Sequence, residues 1–219
     1  MSGTFITFEG GEGTGKSTQI KLLRQRLEAS GHTVRVLREP GGTHAGEAIR
    51  FILLDTDSEG LSDRAELLLY EAARAQLVAE VIEPALSAGE VVLCDRFFDS
   101  TVAYQGHGRG LGLEMIDALN SIASAGMVPD RTLLLDIEVA EGLARATRCG
   151  ADRLECEDMA FHERVRGGFL AIAQAEPERV RTVDATGSVE AVARRVAAAD
   201  ATGAGDHFDR VVRRQARPQ

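Results

Sequence analysis

Eight consecutive residues, Gly10-Gly11-Glu12-Gly13-Thr14-Gly15-Lys16-Ser17, fit the spacing G-x-x-x-x-G-K-[ST]. Glycines at those positions let backbone N–H groups curl around phosphate oxygens, and a helix starting near Lys16 adds the positive end of its dipole. In this chemistry the lysine reaches the β- and γ-phosphates of a nucleoside triphosphate, and the hydroxyl of Ser17 ligates Mg²⁺. Lys16 and Lys21 are the only lysines of the chain, so a chance match is on the order of one in several hundred. A sequence that otherwise uses arginine keeps lysine where a compact point charge serves better than a planar fork.

A second constellation follows an apolar run. Val91-Val92-Leu93-Cys94 ends in Asp95-Arg96, which sets an acid and a cation at the carboxyl end of a predicted parallel strand, where open α/β sheets bind ligands. The acid suits Mg²⁺ and the arginine suits a second phosphate; a structural salt bridge is the alternative. Residues 96–106 then supply hydroxyls, an amide and aromatic rings in one place, the inventory needed to read a base and a sugar. A phosphate loop alone leaves switch GTPases, ATPases and small-molecule kinases open. With lysines only at 16 and 21 there is no guanine-reading Asn-Lys-x-Asp segment, and the DxxG match at 184–187 is too short to carry weight. None of the histidines (His32, His44, His107, His162, His207) pair at the spacing of metal ligands.

These groups need a scaffold that gathers strand ends. TFITFE at 4–9 is a β-prone run, and Ile20, Leu23 and Leu27 recur at helical spacing over 17–28, so the phosphate loop joins a strand to a helix. Further strands are predicted at 33–37, 91–94, 133–135 and 180–183. Helices are predicted over 45–54, 63–86, 113–124, 140–148, 161–175 and 189–199. Strands alternating with helices imply an α/β fold whose parallel sheet is covered on both faces. At 219 residues a single domain over 1–199 is expected, followed by a basic tail at 200–219 with Arg210, Arg213, Arg214 and Arg217.

Lys and Arg number 25 against 34 Asp and Glu, a net charge of −9 that disfavours non-specific binding to nucleic acid or to an anionic membrane. No apolar run approaches the roughly 20 residues that cross a bilayer. The N-terminus, MSGTFITFEGG, lacks a basic region followed by a signal-type apolar core. Cys94, Cys149 and Cys156 are odd in number and without C-x-x-C spacing, which argues against a disulfide scaffold and fits a reducing cytoplasm.

Together, Gly10 to Ser17 with Glu12, the segment Arg38-Glu39-Pro40-Gly41-Gly42-Thr43, and Asp95-Arg96-Phe97 followed by Ser100, Ala103, Tyr104 and Gln105 resemble the thymidylate kinase family. The resemblance spans 4–199 and includes Leu67-Leu68-Leu69-Tyr70-Glu71-Ala72-Ala73-Arg74, the arginine-bearing stretch 145–155 and Val183-Asp184-Ala185-Thr186. It implies the nucleoside monophosphate kinase fold with a phosphate loop and a five-stranded parallel sheet with helices on both faces. The implied reaction is transfer of the γ-phosphoryl group of ATP to dTMP, giving ADP and dTDP, with Mg²⁺, in a homodimer formed by helices such as 63–86. The alternatives are a kinase for another nucleoside or nucleoside monophosphate, or a non-catalytic nucleotide-binding module. Arg50, Arg96 and Gln105 weigh against the module.

Carried over position by position, the resemblance implies that Gly10, Gly11, Glu12, Gly13, Thr14, Gly15, Lys16, Ser17 and Thr18, with Arg148 and Arg153, hold ATP. Glu12 also touches the 3′-hydroxyl of the dTMP sugar, Glu39 belongs to the dTMP site, and Ser17, Glu39 and Asp95 organise Mg²⁺ and its waters. Arg50 and Arg96 match positions that grip the acceptor phosphate. Tyr70 stands where the family usually stacks Phe on thymine, Arg74 and Gln105 hydrogen-bond the base, Ser100 joins the dTMP site, and Tyr104 crowds a ribose 2′-hydroxyl. A lid at about 142–156 carries Arg145, Arg148 and Arg153. Family members keep an arginine either in the phosphate loop or in the lid; Gly13 and Arg153 put this chain in the second group. Lys16, Asp95, Arg96 and Arg153 are the expected catalytic residues, with Arg153 the lid cation; partial rescue of Arg153→Ala by Gly13→Arg would show that positions 13 and 153 share one role.

Overall fold

The computed structural model describes residues 3–55, 60–146, 153–154 and 156–201. Arg148, Cys149, residues 147–152 and 155 of the expected lid and nearly all of the expected tail lie outside the described residues. Among the described residues, five parallel strands, β1 (Thr4–Glu9), β2 (Val34–Arg38), β3 (Val91–Asp95), β4 (Arg131–Asp136) and β5 (Val180–Asp184), form one sheet in the order β2-β3-β1-β4-β5. The continuous apolar runs are the reason for this arrangement: all six residues of β1 are buried, as a strand covered on both faces requires. Ile6, Phe8, Leu93, Leu133 and Leu135 point to one face, where they meet Ile20, Leu23 and Leu27 of α1 (Lys16–Ala29) and Val192 and Val196 of α9 (Val189–Ala201). On the other face Phe5 and Val92 meet Leu77, Val78 and Ile82. There too, Leu134 and Val180 meet Tyr104, Phe161, Val165 and Phe169.

Two helical stretches differ from expectation. The helix expected over 63–86 is α3 (Asp63–Leu77), a π-helical turn at Val78–Ile82 and α4 (Glu83–Ser87), in one continuous run. Residues after Arg96, which carry no helical periodicity, form α5 (Phe98–Thr101) and a π-helical segment, Val102–Gly108. Gly106 and Gly108 permit this: a Cβ at 106 would press on Leu113 of α6 (Leu113–Ala123), and one at 108 on Phe161 of α8 (Met159–Ala175). Close approach of neighbouring helices, rather than local propensity, builds this element. The remaining helices are α2 (His44–Leu54) and α7 (Val139–Ala146). No helix among the described residues is long and apolar enough to cross a membrane.

The ladder continues just past the strand ends. Glu39 N–H donates to Asp95 O and Arg96 N–H to Phe8 O, both at 2.9 Å. Glu9, Glu39, Asp95 and Arg96 are thereby set side by side along the carboxyl edge of the sheet, next to the loop that opens α1.

Candidate active site

The phosphate loop turns through left-handed backbone at Gly10, Gly13 and Gly15, and Gly15 is the residue that caps α1. Lys16 folds back over the loop, with Nζ donating to Gly10 O (3.0 Å) and Gly11 O (2.9 Å). Burial, with Arg96 nearby, pulls its pKa down. Thr14 Oγ1 ties the loop to Gly11 O, and Thr18 N–H closes the first turn on Gly15 O. Ser17 Oγ donates to Asp95 Oδ2 at 2.9 Å, so two of the expected Mg²⁺ ligands meet although 78 residues separate them. The third, Glu39, is buried on the same edge, and its Oε1 has no hydrogen-bond partner. A hydroxyl with two carboxylates is the hard oxygen set that suits Mg²⁺.

Arg96 is the hub of the site. It holds φ 70°, a left-handed conformation that costs a residue with a Cβ about 1–2 kcal/mol. That turn delivers one guanidinium to Gly10 O, Ser100 Oγ, Glu12 Oε1 (2.7 Å) and Tyr104 OH (3.1 Å), over the face of the Tyr104 ring. Tyr104 OH in turn donates to Glu12. Burial favours the neutral form of Glu12, but Arg96 and Lys16 outweigh it and hold the carboxyl at about 2. Glu12, Ser100, Tyr104 and Arg96, expected at the sugar and the acceptor phosphate, are therefore one hydrogen-bonded cluster.

A cleft of about 560 Å³ runs from this cluster; it is lined by the phosphate loop at one end and by Arg50, Tyr70, Arg74, Thr101 and Gln105 at the other. Arg50, half-buried, donates to Pro40 O. Arg74 is 1% exposed and so is no surface ion pair. It donates to Glu39, Glu71 and Asn120 at 2.8–2.9 Å and lies over the Phe97 ring. Tyr70 packs against the cluster containing Tyr104 and Phe161. Thr101, which no sequence signal singled out, is 1% exposed with a hydroxyl that has no partner, in the wall of the cleft. Its neighbours Ser100 and Tyr104 were the available clue.

Arg153 is the expected residue that stands elsewhere. Its Nη2 donates to Glu66 of α3 and its Nε to Leu53 O of α2, and it is not among the residues lining the cleft. Arg145, on α7, does line it. The expected sharing of one role between positions 13 and 153 meets an obstacle in the backbone. At Gly13, with φ +64°, a Cβ would overlap the carbonyl of Gly142, and a Cβ at Gly142 would crowd Glu12 O. Helix α7 rests directly on the phosphate loop, and an arginine does not fit at 13.

Glu9, also unmarked by any motif, lies wholly buried under the site and accepts from Phe97 N–H (2.7 Å) and Ser100 Oγ (2.6 Å), fixing the start of α5. Burial, reinforced by Asp99, raises its pKa to about 8. The folded chain therefore holds this proton where the unfolded chain has released it, and the associated stability is lost as pH rises from about 4.5 to about 8. Glu9→Gln, which cannot ionise, is expected to gain on the wild type as pH rises. The difference in thermal midpoint between the two should grow by about 3 °C or more from pH 5 to pH 9. A constant difference would show that Glu9 does not titrate in this window.

The family model for thymidylate kinase matches residues 8–196. The chain belongs to the thymidylate kinase family. Among its relatives is the "Thymidylate kinase" of Solidesulfovibrio magneticus, 54% identical over 200 residues that cover 88% of this chain and 96% of that protein. The "Thymidylate kinase" of Gloeobacter violaceus is 52% identical over 198 residues, covering 89% and 93%. The crystal structure of thymidylate kinase from Ehrlichia chaffeensis superposes with a TM-score of 0.76 at 34% identity, covering 90% of this chain and 98% of that one. The thymidylate kinase fold thus extends over the sheet, the phosphate loop and the cleft described above.

Proposed function

We infer that this chain transfers the γ-phosphoryl group of ATP to dTMP, giving ADP and dTDP. The observation that carries the reading, beside family membership, is one continuous cleft with a phosphate loop at one end and Arg74, Gln105 and Tyr70 at the other. Phosphoryl transfer leaves a protein little covalent work; it aligns donor and acceptor and offsets the charge on the transferring group. Lys16 and Arg96 are assigned to that charge, with Arg96 and Arg50 on the acceptor phosphate and Arg153 joining from the lid. Glu12 and Tyr104 hold the sugar, and Arg74, Gln105 and Tyr70 hold the base. Ser17, Asp95 and Glu39 would hold Mg²⁺, which supplies further charge neutralisation when bound with ATP. The phosphate of dTMP is already largely ionised, so no side-chain base is required.

Residues 1–199 are proposed to act as one kinase domain. A homodimer is supported by exposed apolar side chains on helices α2, α3 and α6: Phe51 at 72%, Leu68 at 55% and Ile122 at 76%. The free thiols of Cys94 and Cys156 are in keeping with a cytoplasmic setting. Coupled ADP release across nucleoside monophosphates at equal concentration tests the substrate. dTMP is expected to exceed UMP by orders of magnitude in kcat/KM, and equal use of CMP and dTMP would contradict the reading. Lys16→Ala is expected to lower kcat by about 10²-fold with the fold intact, because the lysine spans loop carbonyls and no core packing. Unchanged turnover would remove Lys16 from the mechanism.

A further inference from the structure

Gln105 and Glu66 form a pair at the far end of the cleft that fixes the direction of an amide. Gln105 Nε2 donates to Glu66 Oε1 at 2.9 Å, and both residues are buried. The same carboxylate takes Arg109 Nε on Oε1 and Arg109 Nη2 and Arg153 Nη2 on Oε2. Burial alone would favour a neutral Glu66, but the hydrogen bonds from Arg109, Gln105 and Arg153 reverse that and bring its pKa below the usual carboxylate range. An ionised carboxylate only accepts hydrogen bonds. The two ends of an amide are otherwise told apart only by their neighbours, so here the nitrogen faces Glu66 and the oxygen is left for the cleft. Among the described residues Gln105 Oε1 takes no hydrogen bond. Arg74 spends Nε, both Nη1 hydrogens and one Nη2 hydrogen on Glu39, Glu71 and Asn120, which leaves one Nη2 N–H as a donor beside it.

We propose that Glu66 is a specificity-determining positioning residue. By holding the Gln105 oxygen toward the cleft, it makes the base subsite accept a pyrimidine edge with an N–H at the ring nitrogen next to a carbonyl. Thymine has that edge, with a donor at N3 and an acceptor at O4. Cytosine reverses it: an unprotonated ring nitrogen would face the Gln105 oxygen, and an amino group would face the Arg74 donor. Buried polar groups left opposed in this way are what give hydrogen-bonding sites their large discrimination. This rests on the cleft being a dTMP site, with Gln105 and Arg74 at the base.

Wild-type turnover of dTMP tests that underlying reading; the ratio of kcat/KM for dTMP over dCMP tests the proposal. Glu66→Gln keeps volume but replaces an acceptor with a group that also donates, so the Gln105 amide can turn over. The ratio is expected to fall about tenfold or more, chiefly through KM for dTMP. Arg109→Ala removes a charge from the same carboxylate but leaves its bond to Gln105, and is expected to keep the ratio within about twofold. A Glu66 that served stability alone would slow both substrates equally. An unchanged ratio in Glu66→Gln, or an equal fall in Arg109→Ala, overturns the proposal. Should Glu66→Gln fold poorly, the Gln105 side-chain amide of the wild type gives the answer by NMR, since its protons should exchange slowly with water and remain so with dTMP bound. Exchange as fast as that of an exposed glutamine would refute it, whether or not dTMP turns over.

Discussion

Arg96→Ala is expected to lower kcat/KM for dTMP by about 10³-fold, more than loss of a single transition-state donor usually costs, because one guanidinium serves several partners. Its removal takes the cation from the acceptor phosphate, leaves the Gly10 carbonyl with Lys16 as its donor and strips Glu12 and Tyr104 of their common donor. Glu12 also loses the charge that chiefly opposes its burial. Arg96→Lys should recover little, since a point charge cannot span the four oxygens the fork reaches. The left-handed backbone at 96 provides a control. Arg96→Gly relieves the conformational cost and should be more stable than Arg96→Ala by about 1 kcal/mol, with activity equally lost. If Arg96→Gly regained activity, the side chain would not be the cause.

Arg153→Ala is expected to lower kcat by about 10² to 10³-fold with a small change in KM for dTMP, as a cation acting in the transition state should. In this structure Arg153 rests on Glu66 and Leu53 O, so it must leave them to meet a phosphoryl group. That departure strands no charge, because Glu66 keeps Arg109 and Gln105. In the proposed role, a closure that carried the guanidinium in would also exclude water, which would strengthen its field. Gly13→Arg in the Arg153→Ala background is expected to restore nothing and to lower the thermal midpoint, given the contact with Gly142. Wild-type kcat in Arg153→Ala would make Arg153 a clamp between α2 and α3 and move the test to Arg145, which already lines the cleft.

The strands and the phosphate loop were legible because each is carried by a local pattern: a short apolar run, or glycines at fixed spacing. Ser17 and Asp95 were legible as separate motif residues, and the register of β1 with β3 explains why they meet. Residues 98–108 were legible as chemistry but not as structure, since Gly106 and Gly108 weaken every helical signal and find their purpose only against Leu113 and Phe161. Glu9 and Glu66 were not legible at all, and Thr101 was legible only as one hydroxyl within 96–106. Glu9 acts through Ser100, and Glu66 through Gln105 and Arg153, all far along the chain, and a lone acid in sequence carries no sign of the neighbour it will have. Arg74 was legible as a site residue, while its near-complete burial between Glu39 and Glu71 was not.

The contact of Gly13 with Gly142 bears on how such an enzyme can change over generations. An arginine arriving at 13 meets the backbone of α7, and a backbone cannot be trimmed by substituting a side chain. Placing a side chain at 13 therefore requires α7 to be displaced first, at a time when the displacement brings no gain. From this starting sequence a side chain at 13 therefore takes at least two changes, one at 13 and one that shifts α7. The order matters as well: the backbone has to give way before the side chain can arrive, and two glycines in contact hold that first step closed.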